Sequence, residues 1–557
     1  MNRSDDAPEA RGEVAGATQD QPGHTVGGAY AWYVLGVLIV VYTLNFIDRQ
    51  IITILAADLK RDLGLTDTEL GLLYGTVFAM FYALFGVPLG RLADTWVRTR
   101  MMAIGLAAWS AFTTVSGLAG NFAQLATARV GVGIGEASAS PAAFSLLSDY
   151  FPREKRATAL ALYSSGVHIG GGLSLVIGGA IVDAWATAYA DGSTPWGLKG
   201  WQVAFFAVGI PGILLALLVA TLREPVRGLA DGLAQPREPR PFAKAWLEMT
   251  AIIPPLTFWH LARLKAAGGE WGRNLLALAV VVALAAGLTA LTNGLVPEAR
   301  QRVLWELGGL RVTAHTVQWT AMAIGAYGVF SWIQSLRLRD QPSFQLIWKT
   351  PTTVAIIIAS AAITIAAYGI AAWAAYYAVV TFKVPLTEAG TMLGLGAALG
   401  GWIGTSLGGI IGDRLRRRRP AGRLYVTLFA VIVPVPLVYA LFSTGDLDHY
   451  YVLAFLVQLL MTLWLAGAAT TCQDLVMPRM RGSMTAAFFL GTTLVGLGIG
   501  PYFIGFVSDV TGDLRMAIFS VGLFAPVAWI ALLVAIRTVE PAERTRLERA
   551  RAAGEPA

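Results

Sequence analysis

Cysteine is almost missing from this chain: Cys472 stands alone among 557 residues, so no intrachain disulfide can form. Histidine is scarce too, five residues with no Cys/His cluster at zinc spacing, which argues against a structural metal. Charge is the third shortage. Only 14% of residues are charged and 55% are hydrophobic, against roughly a quarter charged in soluble domains, and this excludes a water-soluble globule. No phosphate-cradling P-loop, His-Glu-x-x-His pair or Gly-x-Ser-x-Gly elbow is recognised, so neither ATP-driven transport nor hydrolysis is expected, and no enzyme activity or cofactor with them. The formal net charge of +7 is not gathered into one face. It sits in short segments between apolar runs, as the positive-inside rule requires, and no nucleic-acid partner is expected. Residues 1–30 lack a basic stretch followed by a cleavable apolar core; they read as a disordered cytoplasmic tail, with the first hydrophobic run as insertion signal.

What the chain has in abundance is apolar length. A bilayer core of about 30 Å needs about 20 helical residues at 1.5 Å each. Runs of that kind fall near 31–57, 70–93, 101–120, 123–148, 157–182 and 201–221, and again near 351–381, 388–412, 423–442, 450–472, 483–508 and 515–537. The expected organisation is a six-helix bundle over 31–222, a central linker over 223–350, a second bundle over 351–538 and a cytoplasmic tail over 539–557. The linker itself contains two apolar stretches, 274–293 and 315–336. Fourteen spans are therefore expected in an all-α membrane protein, unless one or both of these stretches lie flat as interfacial helices.

Arginine and lysine set the orientation. Arg91, Arg98 and Arg100, then Arg153 to Arg156, Arg223 to Arg240, Arg414 to Arg423, and Arg479 with Arg481 occupy one alternate set of connections, which places both termini in the cytoplasm. The halves also repeat. Gly90 to Asp94 closes the second helix as Gly409 to Asp413 closes the eighth; Pro152-Arg153 opens the fifth as Pro478-Arg479 opens the eleventh; Gly179 to Asp183 ends the fifth as Gly505 to Asp509 ends the eleventh. Two parallel six-helix halves are the arrangement of a rocking carrier.

Ionisable residues inside these spans point to mechanism, because a charge in lipid costs at least about 2.5–3.5 kcal/mol. Asn45-Phe-Ile-Asp48-Arg49 interrupts the first apolar run, and Arg129 and Glu136 lie two turns apart on one face of the fourth. Counting residues puts Asp48 and Arg129 at similar depth, so Asp48 is expected to pair with Arg129 and Arg49 with Glu136, facing a central cavity. Asp48 and Glu136 are the candidate proton sites; the alternative is a permanent bridge between helices one and four. Gly90, Asp94, Arg98 and Asp413 are candidates for a polar latch made in one carrier state and broken in the other. His168, Tyr368 and Trp464 are candidate pocket residues, set against their use as packing or interfacial anchors.

The loop Gly90-Arg-Leu-Ala-Asp94-Thr-Trp-Val-Arg98-Thr-Arg100 resembles the signature of the major facilitator superfamily, with Thr95 and Val97 departing from its usual residues. Asn45 to Arg49, Gly133-Ile-Gly-Glu136-Ala-Ser138, Phe151-Pro-Arg-Glu-Lys-Arg-Ala157 and Glu224-Pro-Val-Arg-Gly228 together resemble the Spinster family, closely over the first six helices and more loosely over the rest. That family carries lysolipids and sphingolipids. The resemblance implies an amphipathic substrate with a charged head and proton coupling, with Asp48, Arg49, Arg129 and Glu136 as its polar cluster. The chain is thus expected to be a proton-driven, alternating-access carrier of an amphipathic anion, monomeric, in the bacterial inner membrane. Two other readings stay open: a symporter of small organic anions or sugar acids, and an energy-independent scramblase or channel.

Overall fold

The structure, a computed structural model, describes residues 26–228, 230 and 238–555; of the tail expected over residues 1–30, residues 1–25 lie outside them and Ala29 and Tyr30 already belong to the first helix. The first bundle consists of α1 (Ala29–Ile54), α2 (Asp67–Thr95), α3 (Arg98–Ser116), α4 (Phe122–Tyr150), α5 (Arg153–Ala188) and α6 (Gly200–Ala220). The insert follows: α7 (Pro241–Thr250), α8 (Leu256–Arg263), α9 (Gly268–Leu295), a hairpin of β1 (Val303–Leu307) and β2 (Leu310–Thr313), α10 (Ala314–Arg339) and α11 (Gln341–Trp348). The second bundle is α12 (Pro351–Phe382), α13 (Leu386–Arg416), α14 (Gly422–Ser443), α15 (Leu447–Asp474), α16 (Pro478–Thr511) and α17 (Leu514–Arg544). The tail does not fray: α18 (Arg546–Ala552) packs back on α11.

The helix starts are written in polar caps. Thr66 accepts from the Glu69 amide while the Glu69 carboxylate accepts from the Thr66 amide, a reciprocal box that starts α2. Asn121 starts α4 and Asp446 starts α15 through side-chain acceptance of the Gln124 and His449 amides, at 3.0 and 2.8 Å.

Among the described residues, twelve helices are long and apolar enough to cross a membrane. The expected fourteen are not all recovered on that criterion, because α3 and α10 fall short. Both are diluted by polar side chains that point inward: Arg98, Ser110 and Thr113 in α3, and His315, Gln318 and Gln334 in α10, are all buried. Average hydropathy does not register which face carries the polarity.

The end bearing Arg98, Arg227, Arg416, Arg423 and Arg479 is here the basic end. At the far end the bundles meet along two pseudo-symmetric seams, α2 with α16 and α5 with α13. On the first, a Cβ at Gly505 would run into the Asp67 carbonyl; on the second, a Cβ at Gly179 would run into that of Leu386. Only glycine permits backbones this close. Each seam is also capped. Asp509 accepts from the amides of Asp67 (3.2 Å) and Thr68 (2.8 Å), and Asp183 accepts from that of Thr387 (2.7 Å). Toward the basic end the α5–α13 seam stops at His168, which lies against Gly401; the next glycines of α13, Gly404 and Gly408, face the backbone of α15 instead.

Overpacking a seam costs about 1–3 kcal/mol, so Gly505→Val is expected to raise the alkylation rate of a Thr68→Cys probe, buried in this arrangement, roughly tenfold. An unchanged rate in detergent would contradict the seam's role in closure.

Candidate functional site

The helix α1 brings Asn45, Asp48 and Arg49 into the interior of the first bundle, opposite Arg129 and Glu136 of α4, and all five are buried. Arg49 donates through Nε and Nη2 to Glu136 Oε2, at 3.1 and 2.8 Å. Its guanidinium is also boxed by rings, 4.6 Å from the centroids of Phe46 and Phe78 and 4.8 Å from that of Tyr82. Arg129 behaves differently from the expected pairing with the Asp48 carboxylate. It donates to the main-chain carbonyls of Asp48 (3.1 Å) and Arg49 (3.2 Å), using the spare lone pairs of helical carbonyls. The Asp48 carboxyl group is left beside the Trp109 indole with neither oxygen hydrogen-bonded. Further unpartnered atoms share this region: Asn45 Nδ2, Trp109 Nε1, Arg129 Nε and Glu136 Oε1. Burying so much unpaired polarity is costly and calls for explanation.

The basic end carries a second polar assembly. Arg98, fully buried, forms an ion pair with Asp149, donates to Glu224 Oε1 at 2.7 Å, and reaches the Ser145 and Pro225 carbonyls at 3.1 and 3.0 Å. It therefore ties α3, α4 and the chain after α6 into one bundle and does not pair with Asp94. Asp94 is exposed, makes no hydrogen bond or ion pair among the described residues, and lines a polar cavity of ≈ 470 Å³ with Arg91, Arg227 and Lys244. A Cβ on Gly90 would meet nothing within 4 Å, so no helix packs closely on this latch candidate. The second bundle repeats the plan: Arg423 donates to Asp413 (2.7 Å) and Asp474 (2.6 Å), and Arg416 to Glu543 (2.6 Å).

Two parallel bundles, a basic loop closing the second helix of each, and a charged first–fourth helix pair are the features to be set against known proteins. Residues 38–501 match the family described as the Major Facilitator Superfamily. The chain belongs to that superfamily. It is 25% identical over 511 residues, 92% of each chain, to an MFS-type efflux pump of Mycolicibacterium smegmatis. It is 29% identical over 174 residues, 31% of this chain and 35% of the relative, to a probable L-galactonate transporter of Escherichia coli. Among solved structures it resembles a bacterial homologue of the human lysosomal transporter Spinster, in an inward-facing, unoccupied conformation, with a TM-score of 0.67 and 24% identity over 92% of this chain and 98% of that one.

The remaining candidate residues of this facilitator separate. Tyr368 of α12 reaches across to pack on the first bundle's core, near Arg49. His168 sits at the end of the α5–α13 seam, with Nε2 3.4 Å from Thr405 Oγ1. Trp464 lies in the second bundle's core, its ring 6.2 Å from Phe488, away from the charge cluster. Gly404-Thr-Ser406-Leu-Gly408 does spell Gly-x-Ser-x-Gly, which corrects the expected absence of that pattern. It lies in mid-helix, where Ser406 Oγ donates to the Trp402 carbonyl (2.8 Å), and so lacks the strand-to-helix turn of a nucleophile elbow. Trp109 and the Phe46–Phe78–Tyr82 cage are the site residues that sequence reasoning missed; the aromatic Phe46 three residues before Arg49, with Phe78 and Tyr82 four apart on α2, is the signal that could have found the cage.

Proposed function

We propose that this transporter is a secondary carrier working by alternating access, coupled to protons, whose substrate is an amphipathic anion such as a lysolipid or a sphingolipid-like molecule. The observation that carries it is the carboxyl group of Asp48, buried without an ion pair beside the Trp109 indole and the Arg49–Glu136 pair. A carboxylate without an ion pair is costly to bury, whereas the neutral acid is tolerable. Asp48 thus carries a proton in this arrangement. Loss of that proton creates a charge that competes for Arg129, pulling it from the α1 carbonyls and shifting α1 against α4. Protonation of Glu136 frees Arg49 for an anionic headgroup, and the Phe46–Phe78–Tyr82 cage with the Tyr42–Tyr163 stack (4.3 Å) offers apolar surface beside it. The positive-inside rule favours a plasma-membrane monomer with the basic end and both termini in the cytoplasm, and closure along the far-end seams then supports an inward-facing reading of this state.

The motifs that resemble the Spinster family imply the amphipathic substrate, and the likeness to the probable L-galactonate transporter favours a small sugar acid as the second reading. Reconstitution into liposomes with an imposed pH gradient tests both, against a lysolipid, a sphingoid phosphate and a sugar acid. Saturable, gradient-dependent movement of the lipid-like members is expected. Movement of the sugar acid alone would establish the second reading. Flux that never saturates and persists without a gradient would overturn both in favour of a channel or scramblase.

A further inference from the structure

The insert between the bundles is held together by buried polar contacts. Asn274 of α9 donates to Gln334 (2.8 Å) and accepts from Tyr327 (2.6 Å), both of α10; Thr257 of α8 meets the same tyrosine (2.8 Å), and His260 meets Ser335 (3.0 Å). Within it, α9 has only Asn274 and Thr292 buried, so its apolar surface faces outward along nearly its whole length. Its partner α10 does the opposite. From one end to the other it lies in the groove between α2 and α16: His315 meets Tyr502 (2.8 Å), Gln318 bonds Thr76 and the Gly498 carbonyl (3.1 Å), Gly325 lies on Leu494, and Gly328 lies on Leu84. At the basic end α7 packs on α2, with Phe242 5.0 Å from Trp96, while α11 belongs to the second bundle's core.

The tip of the insert completes the far-end closure. Leading into β1, Arg300 donates to the Asp509 carbonyl (2.8 Å), which belongs to the second bundle. Two residues on, Arg302 pairs with Glu69 (3.0 Å) and donates to the Gly64 carbonyl, which belong to the first. These contacts sit on the residues of the α2–α16 seam: Asp509 caps α2, Ser508 donates to Asp67 (2.6 Å), and Lys60 pairs with Asp67. The pseudo-symmetric α5–α13 seam has the matching cap of Asp183 on Thr387 (2.7 Å) but, among the described residues, no inserted element across it.

We propose that the inserted hairpin is a clamp of the far-end gate, in which Arg300 and Arg302 hold the second and first bundles together across the α2–α16 seam and bias the carrier toward the state closed at that end. A contact made to both bundles at a surface that must part in the opposite state stabilises one state only, which is what a bias requires. The clamp rests on alternating access and is independent of the substrate.

The test needs no ligand. Spin labels at Ser193→Cys and Gly445→Cys, in far-end loops of the two bundles, report the separation by electron–electron double resonance in a Cys472→Ala background. Arg300→Ala with Arg302→Ala is expected to raise the ratio of open to closed populations by about fivefold. Glu69→Gln, which keeps the amide-capping oxygen but removes the ion pair, moves it in the same direction by less. Arg311→Ala, an exposed arginine of the same hairpin, leaves it unchanged. If Gly505→Val shifts the ratio while the Arg300/Arg302 and Glu69 variants do not, the clamp is wrong and alternating access stands. If none of them shifts it, both fall.

Discussion

Asp48→Asn is expected to abolish the pH-gradient dependence of transport while leaving the protein folded. Asparagine is isosteric with the protonated acid, keeps a carbonyl oxygen toward the Trp109 indole and breaks no ion pair, so stability should change by no more than about 1 kcal/mol. The proton cycle, in contrast, ends, because asparagine cannot release a proton and Arg129 is never drawn from the α1 carbonyls. The expected loss of gradient-driven flux is about 100-fold or more, the lower range for removing a group that acts by proton transfer, with exchange of substrate across the membrane surviving better than net accumulation. Thermal unfolding in detergent beside flux in liposomes separates the two outcomes. Full gradient-driven flux in a well-folded variant would remove Asp48 from the mechanism.

The second large effect concerns the Arg49–Glu136 pair, which is buried on both sides. Arg49→Met alone strands Glu136 and is expected to cost about 3–5 kcal/mol, as for any buried pair broken from one side. Glu136→Gln alone strands the guanidinium, but Phe46, Phe78 and Tyr82 still surround it, so its cost should be smaller. Combining Arg49→Met with Glu136→Gln removes both charges and is expected to recover most of the stability lost in Arg49→Met. Transport of anionic substrates should not recover, since the guanidinium proposed for the headgroup is gone and Arg129 stays engaged with the α1 carbonyls. A stable double variant that still carries anions would show the pair to be a structural bridge only.

Much of the scaffold was legible because the same chemistry recurs in both halves. Gly179–Asp183 and Gly505–Asp509 read as a repeat, and in three dimensions they act alike, each glycine admitting a crossing backbone and each aspartate capping the helix that crosses it. The Arg49–Glu136 pair was legible as opposite charges on the first and fourth spans that lipid would not tolerate unpaired. The partner of Arg129 was not, because spacing locates side chains and is silent on main-chain carbonyls that hold spare lone pairs. Trp464 stayed open between pocket and packing for a related reason: an aromatic in an apolar span looks the same whether it faces a cavity or, as here, Phe488. The polarity of α10 is the clearest case of information that only packing resolves, since Gln318 and His315 lower its hydropathy yet are what join it to α2 and α16.

Infrared difference spectroscopy of the reconstituted protein, comparing wild type with Asp48→Asn in the substrate-free state near neutral pH, asks directly whether the buried acid holds a proton. A protonated-carboxyl stretch present in the wild type and missing from the variant is the expected result. Identical spectra in that region, with Asp48 ionised throughout, would contradict the proton site on which the transport mechanism rests.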